Sequence, residues 1–196
     1  MSHPNNKVSS SSVDNQEIEL IVGNSSSNFS GVTSTMLQVT SLQKHMINLR
    51  IMGKHFVPDP SMTITFWEVA KMCRRPLSNG KWRIFHARRV DEMIQGVILK
   101  YVFRAKIKLV FSSAAQRKRS ASTVWLSNKM DAVIAMSNRS AKYLNKPPAK
   151  VNLHGVQIDN YTPAENKQEA WQALGYGGKY GIGILGRVRE QKGVHL

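Results

Sequence analysis

The sequence predicts an α/β protein in which helices cover both faces of a parallel sheet. Short apolar runs alternate with amphipathic stretches from Glu17 to about Asn160, and turn-forming residues separate them. No apolar run approaches the roughly 20 residues that a membrane-spanning helix needs. Because strands that alternate with helices along a chain pair in parallel, this order indicates an open parallel sheet.

The elements before residue 81 follow this order. Glu17–Val22 and Asn48–Met52 are short runs rich in Ile, Leu and Val, which predict strands. Between them, Val32–Met46 places apolar residues three and four positions apart, which predicts a helix. Two prolines then break the chain, and Ser61–Cys73 is predicted to be a helix with Ser61 as its N-cap.

The elements after residue 80 repeat the alternation by the same two criteria. The predicted strands are Lys81–Ala87, Lys106–Phe111, Asp131–Met136 and Lys150–Leu153. The predicted helices are Asp91–Phe103, Ala121–Lys129 and Asn138–Leu144. The sheet is therefore expected to be complete near residue 160.

The chain is predicted to contain one complete domain and the beginning of another. Residues 1–16 are polar and serine-rich, which is typical of disorder and does not fit a secretory signal. Residues 17–160 form the first, Rossmann-like domain, and 161–178, with a proline and mixed charges, form a linker holding a short helix. Residues 179–196 begin a second domain, whose first strand is Tyr180–Leu185.

The charge of the chain favours anionic partners. It has 28 Lys and Arg against 12 Asp and Glu, a net charge of +16, and Asp131 is the only acidic residue between Lys100 and Lys150. Nucleic acid is not the expected partner, because aromatic residues do not alternate with these cations along the sequence and no recognised module is present. The single cysteine fits a reducing compartment, and the scattered histidines do not form a metal site.

A basic glycine-containing turn follows the predicted strand near the end of the chain. Gly186-Arg187 and Lys192-Gly193 place two cations five positions apart. Glycines let backbone N–H groups approach an anion, and two cations can hold a diphosphate, so the turn is a candidate phosphate site. A basic surface turn after a strand would give the same sequence, and both interpretations stay open here.

Candidate ligand-binding residues also follow the first and third long strands. Gly31 lets the first loop pass close to a ligand at the carboxyl edge of the sheet, or it begins a helix that Ser30 caps. His86 comes near a strand end and Arg88 and Arg89 follow it, which suits a general base or an acceptor-orienting group beside a site for anionic substituents. A structural role for His86 is an equal alternative.

Two further segments have candidate site residues. Ser113 and Gln116 follow the strand Lys106–Phe111 and could contact a polar, acidic ligand, whereas the cations Lys118 and Arg119 fit a solvated turn. His154-Gly155 lies at the end of the first domain, where a glycine suits a tight hinge. The glycine fingerprint of dehydrogenases and the Walker loop are absent from the sequence.

Taken together, these segments resemble the GT-B glycosyltransferases of family 4, and among them the lipopolysaccharide core mannosyltransferases of Gram-negative bacteria. The resemblance covers about residues 17–196. The segments that carry it are SGVTST (30–35), WRIFHARRVDEM (82–93), KLVFSSAAQR (108–117), MDAVIAMS (130–137), HGVQID (154–159) and YGIGILGRVREQKG (180–193).

The resemblance implies two Rossmann-like domains, of which the first binds the acceptor and the second binds a nucleotide sugar. It implies a retaining transfer of mannose from GDP-mannose, without a metal or other cofactor. Arg187 and Lys192 match the pair that holds the donor diphosphate, and Gly31 matches a glycine that faces the donor phosphate. His86 matches a position near the transferred sugar.

The resemblance also implies an acidic acceptor. Arg88 and Arg89 would suit the carboxylate of an inner-core sugar such as Kdo, carried on a lipid A precursor. Such an enzyme works in the cytoplasm, and its basic face would rest on the anionic inner leaflet of the inner membrane as a peripheral protein.

The chain departs from this family in its second domain. The family has two glutamates eight positions apart that serve the donor sugar, and no two glutamates of this sequence have that spacing. We therefore expect a truncated chain with little or no transferase activity alone, or one whose C-terminal half is encoded separately. The alternative is a remnant domain that binds anionic lipid or a lipopolysaccharide precursor without catalysis.

Overall fold

The computed structural model contains a parallel sheet of seven strands. It describes residues 17–155, 158, 162–175, 177–181 and 183. The strands are β1 (Leu20–Gly23), β2 (Leu49–Met52), β3 (Thr63–Ile64), β4 (Arg83–Ala87), β5 (Ile107–Ser113), β6 (Ala132–Ala135) and β7 (Lys150–Val151). Their order in the sheet is β3-β2-β1-β4-β5-β6-β7, and every neighbouring pair is parallel. This order extends the Rossmann arrangement, so the predicted Rossmann-like α/β class is confirmed.

Helices connect the strands. They are α1 (Gly31–Gln43), α2 (Phe66–Met72), α3 (Val90–Val97), α4 (Ala121–Asn128), α5 (Asn138–Ala141) and α6 (Lys167–Ala173). A 3-10 turn at Pro60–Met62 precedes β3, and a π-helical turn at Ile98–Val102 continues α3. Each connection from one strand to the next long strand thus contains helix, as the parallel pairing requires.

The core lies on both faces of the sheet. Alternate residues of β1 point to opposite faces: Leu20 and Val22 pack with Met36 of α1, whereas Ile21 packs in a larger cluster. That larger cluster includes Val69 of α2 and Met93 of α3. Helices therefore bury apolar surface against both sides of the central strands, and burial of this kind is the main favourable contribution to folding.

One predicted helix begins later than the sequence pattern indicated. Ser61 is not its N-cap, because Pro60–Met62 forms a 3-10 turn and the short edge strand β3 follows it. The N-cap of α2 is Thr65, whose hydroxyl accepts a hydrogen bond from the Glu68 N–H at 3.3 Å. The Glu68 carboxylate in turn accepts from the Thr65 N–H at 2.7 Å. This reciprocal capping box stabilises a helix that starts at Phe66. The apolar residues on both sides of Thr65 gave no indication of this start.

The chain divides into two units, and the boundary lies between Gly155 and Val156. In the second unit, α6 begins at the N-cap Asn166, and the indole N–H of Trp171 donates to the carbonyl of Gly178 at 2.9 Å. Three of the six residues of the predicted strand Tyr180–Leu185 lie outside the described residues. Among the residues that the structure describes, none of the helices has the length and apolar character to cross a bilayer.

Candidate functional site

The predicted site residues of the first unit meet at the carboxyl edge of the sheet. Strand β4 lies between β1 and β5, and in this register His86 pairs with Val22 on one side and with Val110 on the other. The loop after β1, the arginines after β4 and the segment after β5 are therefore neighbours. Open α/β sheets bind their ligands at this edge.

His86 is held as a neutral imidazole at this edge. Its Nε2 atom lies 2.8 Å from the hydroxyl oxygen of Ser112 on β5. Burial lowers the pKa of His86 from its ordinary 6.5 to about 3, and the positive charge of Arg88 adds to this effect. A base this weak is poorly suited to remove a proton near pH 7, so the geometry favours a role in orienting a hydroxyl group.

Arg88 forms no ion pair with any residue that the structure describes. Its Nη1 atom is buried and has no hydrogen-bond partner among the described residues. Burial lowers the pKa of Arg88 to about 10; the Glu92 carboxylate opposes this shift and the Arg89 guanidinium adds to it. The group therefore remains protonated at neutral pH. A buried, unpaired charge is costly, so this position is suited to binding an anion.

The buried carboxylate of Glu92 holds the site together. It is fully buried and accepts hydrogen bonds from the backbone N–H groups of Arg88 at 2.7 Å and Arg89 at 3.2 Å. It also accepts from the Ser25 N–H in the loop after β1 at 3.5 Å. Gly23 has no room for a side chain, because a Cβ atom there would lie 3.0 Å from the Glu92 carboxyl carbon. One carboxylate therefore joins the ends of β1 and β4 to the start of α3.

The guanidinium group of Arg89 contacts other groups of the protein. Its Nη1 atom forms an ion pair with Glu92 at 2.8 Å, and its Nη2 atom donates to the Thr33 hydroxyl at 2.8 Å and the Ser30 hydroxyl at 3.2 Å. Ser30 is the N-cap of α1. These bonds connect α3 to the start of α1, so Arg89 positions the loop in this structure, and its predicted contact with an acceptor stays a prediction.

The segment after β5 contributes a further arginine, Arg119. Ser113 is buried at the end of β5, and its hydroxyl accepts a hydrogen bond from Nη2 of Arg119. The guanidinium carbon of Arg119 lies 5.2 Å from the centre of the Phe111 ring. Arg119 is thus folded back on the strand end and is not the freely solvated residue that the basic sequence indicated. Gln116 is exposed in the connecting loop.

The other predicted site residues either are exposed or lie outside the described residues. Gly31 is the exposed first residue of α1, and a Cβ atom added there would have nothing within 4 Å. His154 and Gly155 are exposed after β7, at the end of the first unit. Arg187 and Lys192 lie outside the described residues. The roles predicted for these five residues stay predictions.

Sequence reasoning missed three residues that shape this edge. Glu92 is three positions after Arg89 at the start of a helix, and this spacing of a helix-capping glutamate could have indicated it. Ser112 directly precedes the predicted residue Ser113. Because side chains alternate along a strand, Ser112 lies on the same face of the sheet as Val110 and His86. Asn24 is fully buried directly after β1, and the sequence offers no signal for that burial.

The described residues contain no group of three or more His, Cys, Asp or Glu side chains that could hold a metal ion. The described residues place a neutral imidazole, hydroxyl groups and the partly unpaired guanidinium groups of Arg88 and Arg119 at this edge. Such a set is suited to binding a polar, anionic molecule.

Two known proteins are similar to nearly all of this chain. The lipopolysaccharide core biosynthesis mannosyltransferase LpcC of Rhizobium leguminosarum bv. viciae is 37% identical over 185 residues, which are 93% of this chain and 51% of that protein. The lipopolysaccharide core biosynthesis mannosyltransferase LpsB of Rhizobium meliloti strain 1021 is 36% identical over 186 residues, or 94% and 52%. The resemblance to these mannosyltransferases is confirmed, and the chain spans about half the length of the curated relatives it matches. No protein-family model matches the chain.

Replacing Glu92 by glutamine is expected to reduce the free energy of unfolding by about 3–5 kcal/mol, because it leaves the half-buried Arg89 charge unpaired and turns an amide donor toward other donors. Urea unfolding followed by circular dichroism measures this. Glu68→Gln is the matched control, since Glu68 occupies the same helix position but is exposed. Equal losses for the two variants would contradict the central role of Glu92.

His86 is expected to stay neutral from about pH 8 to about pH 5, as judged by the ring nitrogen shifts in NMR. An unfolded histidine takes up a proton near 6.5, whereas folded His86 does so only near 3. Between these values the unfolded state binds more protons, so stability falls as the pH falls, and His86→Gln should reduce that dependence. A titration midpoint of His86 near its ordinary value would contradict this structure of the site.

Proposed function

We propose that the described first unit is the acceptor-binding part of a retaining mannosyltransferase of lipopolysaccharide core biosynthesis. The donor in this proposal is GDP-mannose, and the acceptor is a lipid A precursor that carries the acidic sugar Kdo. The names of the two relatives support the reaction class. The observation that carries the acceptor assignment is the unpaired Arg88 guanidinium beside neutral His86 at the carboxyl edge of the sheet.

The acceptor is held by charge and oriented by hydrogen bonds. Arg88 binds the sugar carboxylate, because a guanidinium can donate two parallel hydrogen bonds to the two carboxylate oxygens. The His86 ring and the Ser112 hydroxyl form a hydrogen-bonding pair that fixes a hydroxyl group of the acceptor or of the transferred sugar. Arg89 and Glu92 keep the backbone beneath these groups in place.

The transfer forms a bond between an acceptor oxygen and the anomeric carbon of mannose, breaks the bond from that carbon to the diphosphate, and releases the hydroxyl proton. Arg187 and Lys192 hold the diphosphate and stabilise the negative charge that develops as it leaves. Gly31, at the N-terminal end of α1, faces the donor phosphate in this proposal, since a helix N-terminus favours anions. His154 and Gly155 form a hinge after the first unit.

The acceptor assignment predicts that the chain binds the methyl glycoside of Kdo and that Arg88→Met weakens this binding about tenfold or more, the effect of losing a charge-assisted pair. Isothermal titration calorimetry on the purified chain measures the affinity. Because the Arg88 guanidinium forms no described hydrogen bond or ion pair, the variant should remain as stable as the parent.

Arg74→Met is the matched control for that experiment. Arg74 is exposed just after α2, at the opposite end of the sheet strands from His86, and its replacement should leave Kdo binding unchanged. Equal affinity of the parent and the Arg88 variant would contradict the assignment of Arg88 to the acceptor carboxylate.

A second candidate function, binding to an anionic lipid surface, is favoured by a set of lysines stacked on aromatic rings. The Lys108 ammonium lies 5.0 Å from the centre of the Trp82 ring, and Lys106 lies 5.6 Å from the same centre. Lys129 lies 5.4 Å from Trp125. The aromatics are therefore interleaved with the cations in space, although they are not interleaved along the sequence.

Contacts join these residues into one surface at the amino edge of the sheet, here called the aromatic–lysine surface. Lys129 also approaches Tyr101, at 5.9 Å from its ring centre, and Lys100 and Lys108 both pair with Asp131, at 2.6 and 3.6 Å. Lysine and amphipathic rings together suit the interface of an anionic membrane. This surface would place the protein on the inner face of the inner membrane as a peripheral protein.

The aromatic–lysine surface predicts salt-sensitive binding to anionic vesicles. The double variant Lys106→Gln and Lys108→Gln should float less with phosphatidylglycerol vesicles in a flotation assay, since each lysine near an anionic surface contributes about 1 kcal/mol. The exposed pair Lys142 and Lys146, changed in the same way, is the control. No flotation of the parent, or equal flotation of both double variants, would contradict a membrane role, and a stable complex with RNA instead would identify a different partner.

A further inference from the structure

A cavity lies beside the candidate site at the same edge of the sheet. It has a volume of about 370 Å³ and is lined by residues that follow β1, β2 and β3, among them Asn24, Lys54 and Phe66. Gln95 of α3 completes its wall. Since β1 lies between β2 and β4, the cavity, here called the amide pocket, adjoins the edge that carries His86. Its volume is within the range of about 300–1,000 Å³ that is typical of small-molecule sites.

Asn24 and Gln95, two residues that line the amide pocket, each have a buried side-chain oxygen without a hydrogen-bond partner among the described residues. Asn24 is fully buried, and its Nδ2 donates to the carbonyl of His55 at 2.7 Å, which fixes Oδ1 as the unpaired atom. The Oε1 atom of Gln95 is buried as well. Neither oxygen accepts a hydrogen bond from any described residue. Buried acceptors are almost always satisfied in native proteins, so these two call for a donor from outside.

At the amide pocket, the loops after β1 and β2 approach each other closely. Gly53 has a φ of +122°, and a Cβ atom there would lie 2.1 Å from the carbonyl oxygen of Asn24. Only glycine allows the loops after β1 and β2 to approach this closely. Phe66 also lines the pocket, and its ring packs edge-on against those of Trp67 and Phe103, with centre distances of 5.5 and 5.7 Å. The pocket is thus preorganised, with an amide side and an apolar side.

The chemistry of the wall selects the class of ligand. Unpaired carbonyl oxygens repel an anion and accept hydrogen bonds from hydroxyl or ammonium groups. Lys54 in the wall and the net charge of +16 disfavour an ammonium group. A hydroxyl-bearing ring with an apolar face satisfies both sides, because its hydroxyls reach the amides while its C–H face packs on Phe66.

We propose that the amide pocket binds a neutral sugar ring of the acceptor saccharide, next to the acidic sugar held at Arg88. This inference rests on the proposed function for the identity of the saccharide, but the pocket itself depends only on Asn24, Gln95 and the wall that surrounds them.

Titration of the isotopically labelled 196-residue chain with methyl α-mannopyranoside, followed by amide NMR, tests the proposal. Saturable shifts are expected at Asn24, Gly53 and Gln95. Gln95→Met keeps the volume of the side chain and removes no described side-chain hydrogen bond, and it should weaken binding about fivefold through loss of one accepted bond. Gln43→Met is the matched control, because Gln43 also has a buried, unpaired Oε1 but does not line the pocket.

Three outcomes would overturn the proposal. They are the absence of saturable shifts at the pocket, equal affinity of the parent and Gln95→Met, and equal weakening by Gln95→Met and Gln43→Met. The first two would indicate that ordered water alone satisfies the amide oxygens. Thermal unfolding of both variants verifies that each is folded.

The pocket and the proposed function fail separately in these experiments. Arg88→Met should reduce the affinity for the Kdo glycoside and leave the affinity for the mannoside unchanged. If the parent binds the Kdo glycoside but not the mannoside, only the proposed role of the amide pocket is rejected. Loss of Kdo binding with mannoside binding intact rejects only the assignment of Arg88.

Discussion

The carboxylate of Glu92 is the constraint on which the rest of the carboxyl edge depends. It is fully buried, and each of its described neighbours is a donor: the N–H groups of Arg88, Arg89 and Ser25, and the Arg89 guanidinium. Because the donors come from the ends of β1 and β4 and from α3, one group fixes the relative positions of all three.

Because of this constraint, the adjacent residues Arg88 and Arg89 have different roles. Arg89 neutralises Glu92 and connects it to the N-cap Ser30 of α1, so its charge is used inside the protein. Arg88 shares the same carboxylate only through its backbone N–H, and its guanidinium stays desolvated and unpaired. A ligand anion would find the Arg88 guanidinium available and the surrounding backbone already ordered, which lowers the cost of binding.

The sequence predicted the alternation of strands and helices well, because each element has a clear apolar period and a capping or turn residue. It failed at β3, where a two-residue edge strand has no period and the prolines beside it favoured a single helix start at Ser61. The contacts of Glu92 and the stacking of Lys108 on Trp82 join different elements. Such contacts depend on strand order and register, which local sequence patterns do not contain.

Recognition of a carboxylate by Arg88 is tested most directly by a cycle of four affinities. The affinities of the parent and Arg88→Met are measured for the Kdo methyl glycoside and for its methyl ester, which lacks the negative charge. If Arg88 pairs with the carboxylate, esterification weakens binding to the parent about tenfold and has little effect on the variant. An equal loss in both proteins would contradict the pairing and the acceptor site built on it.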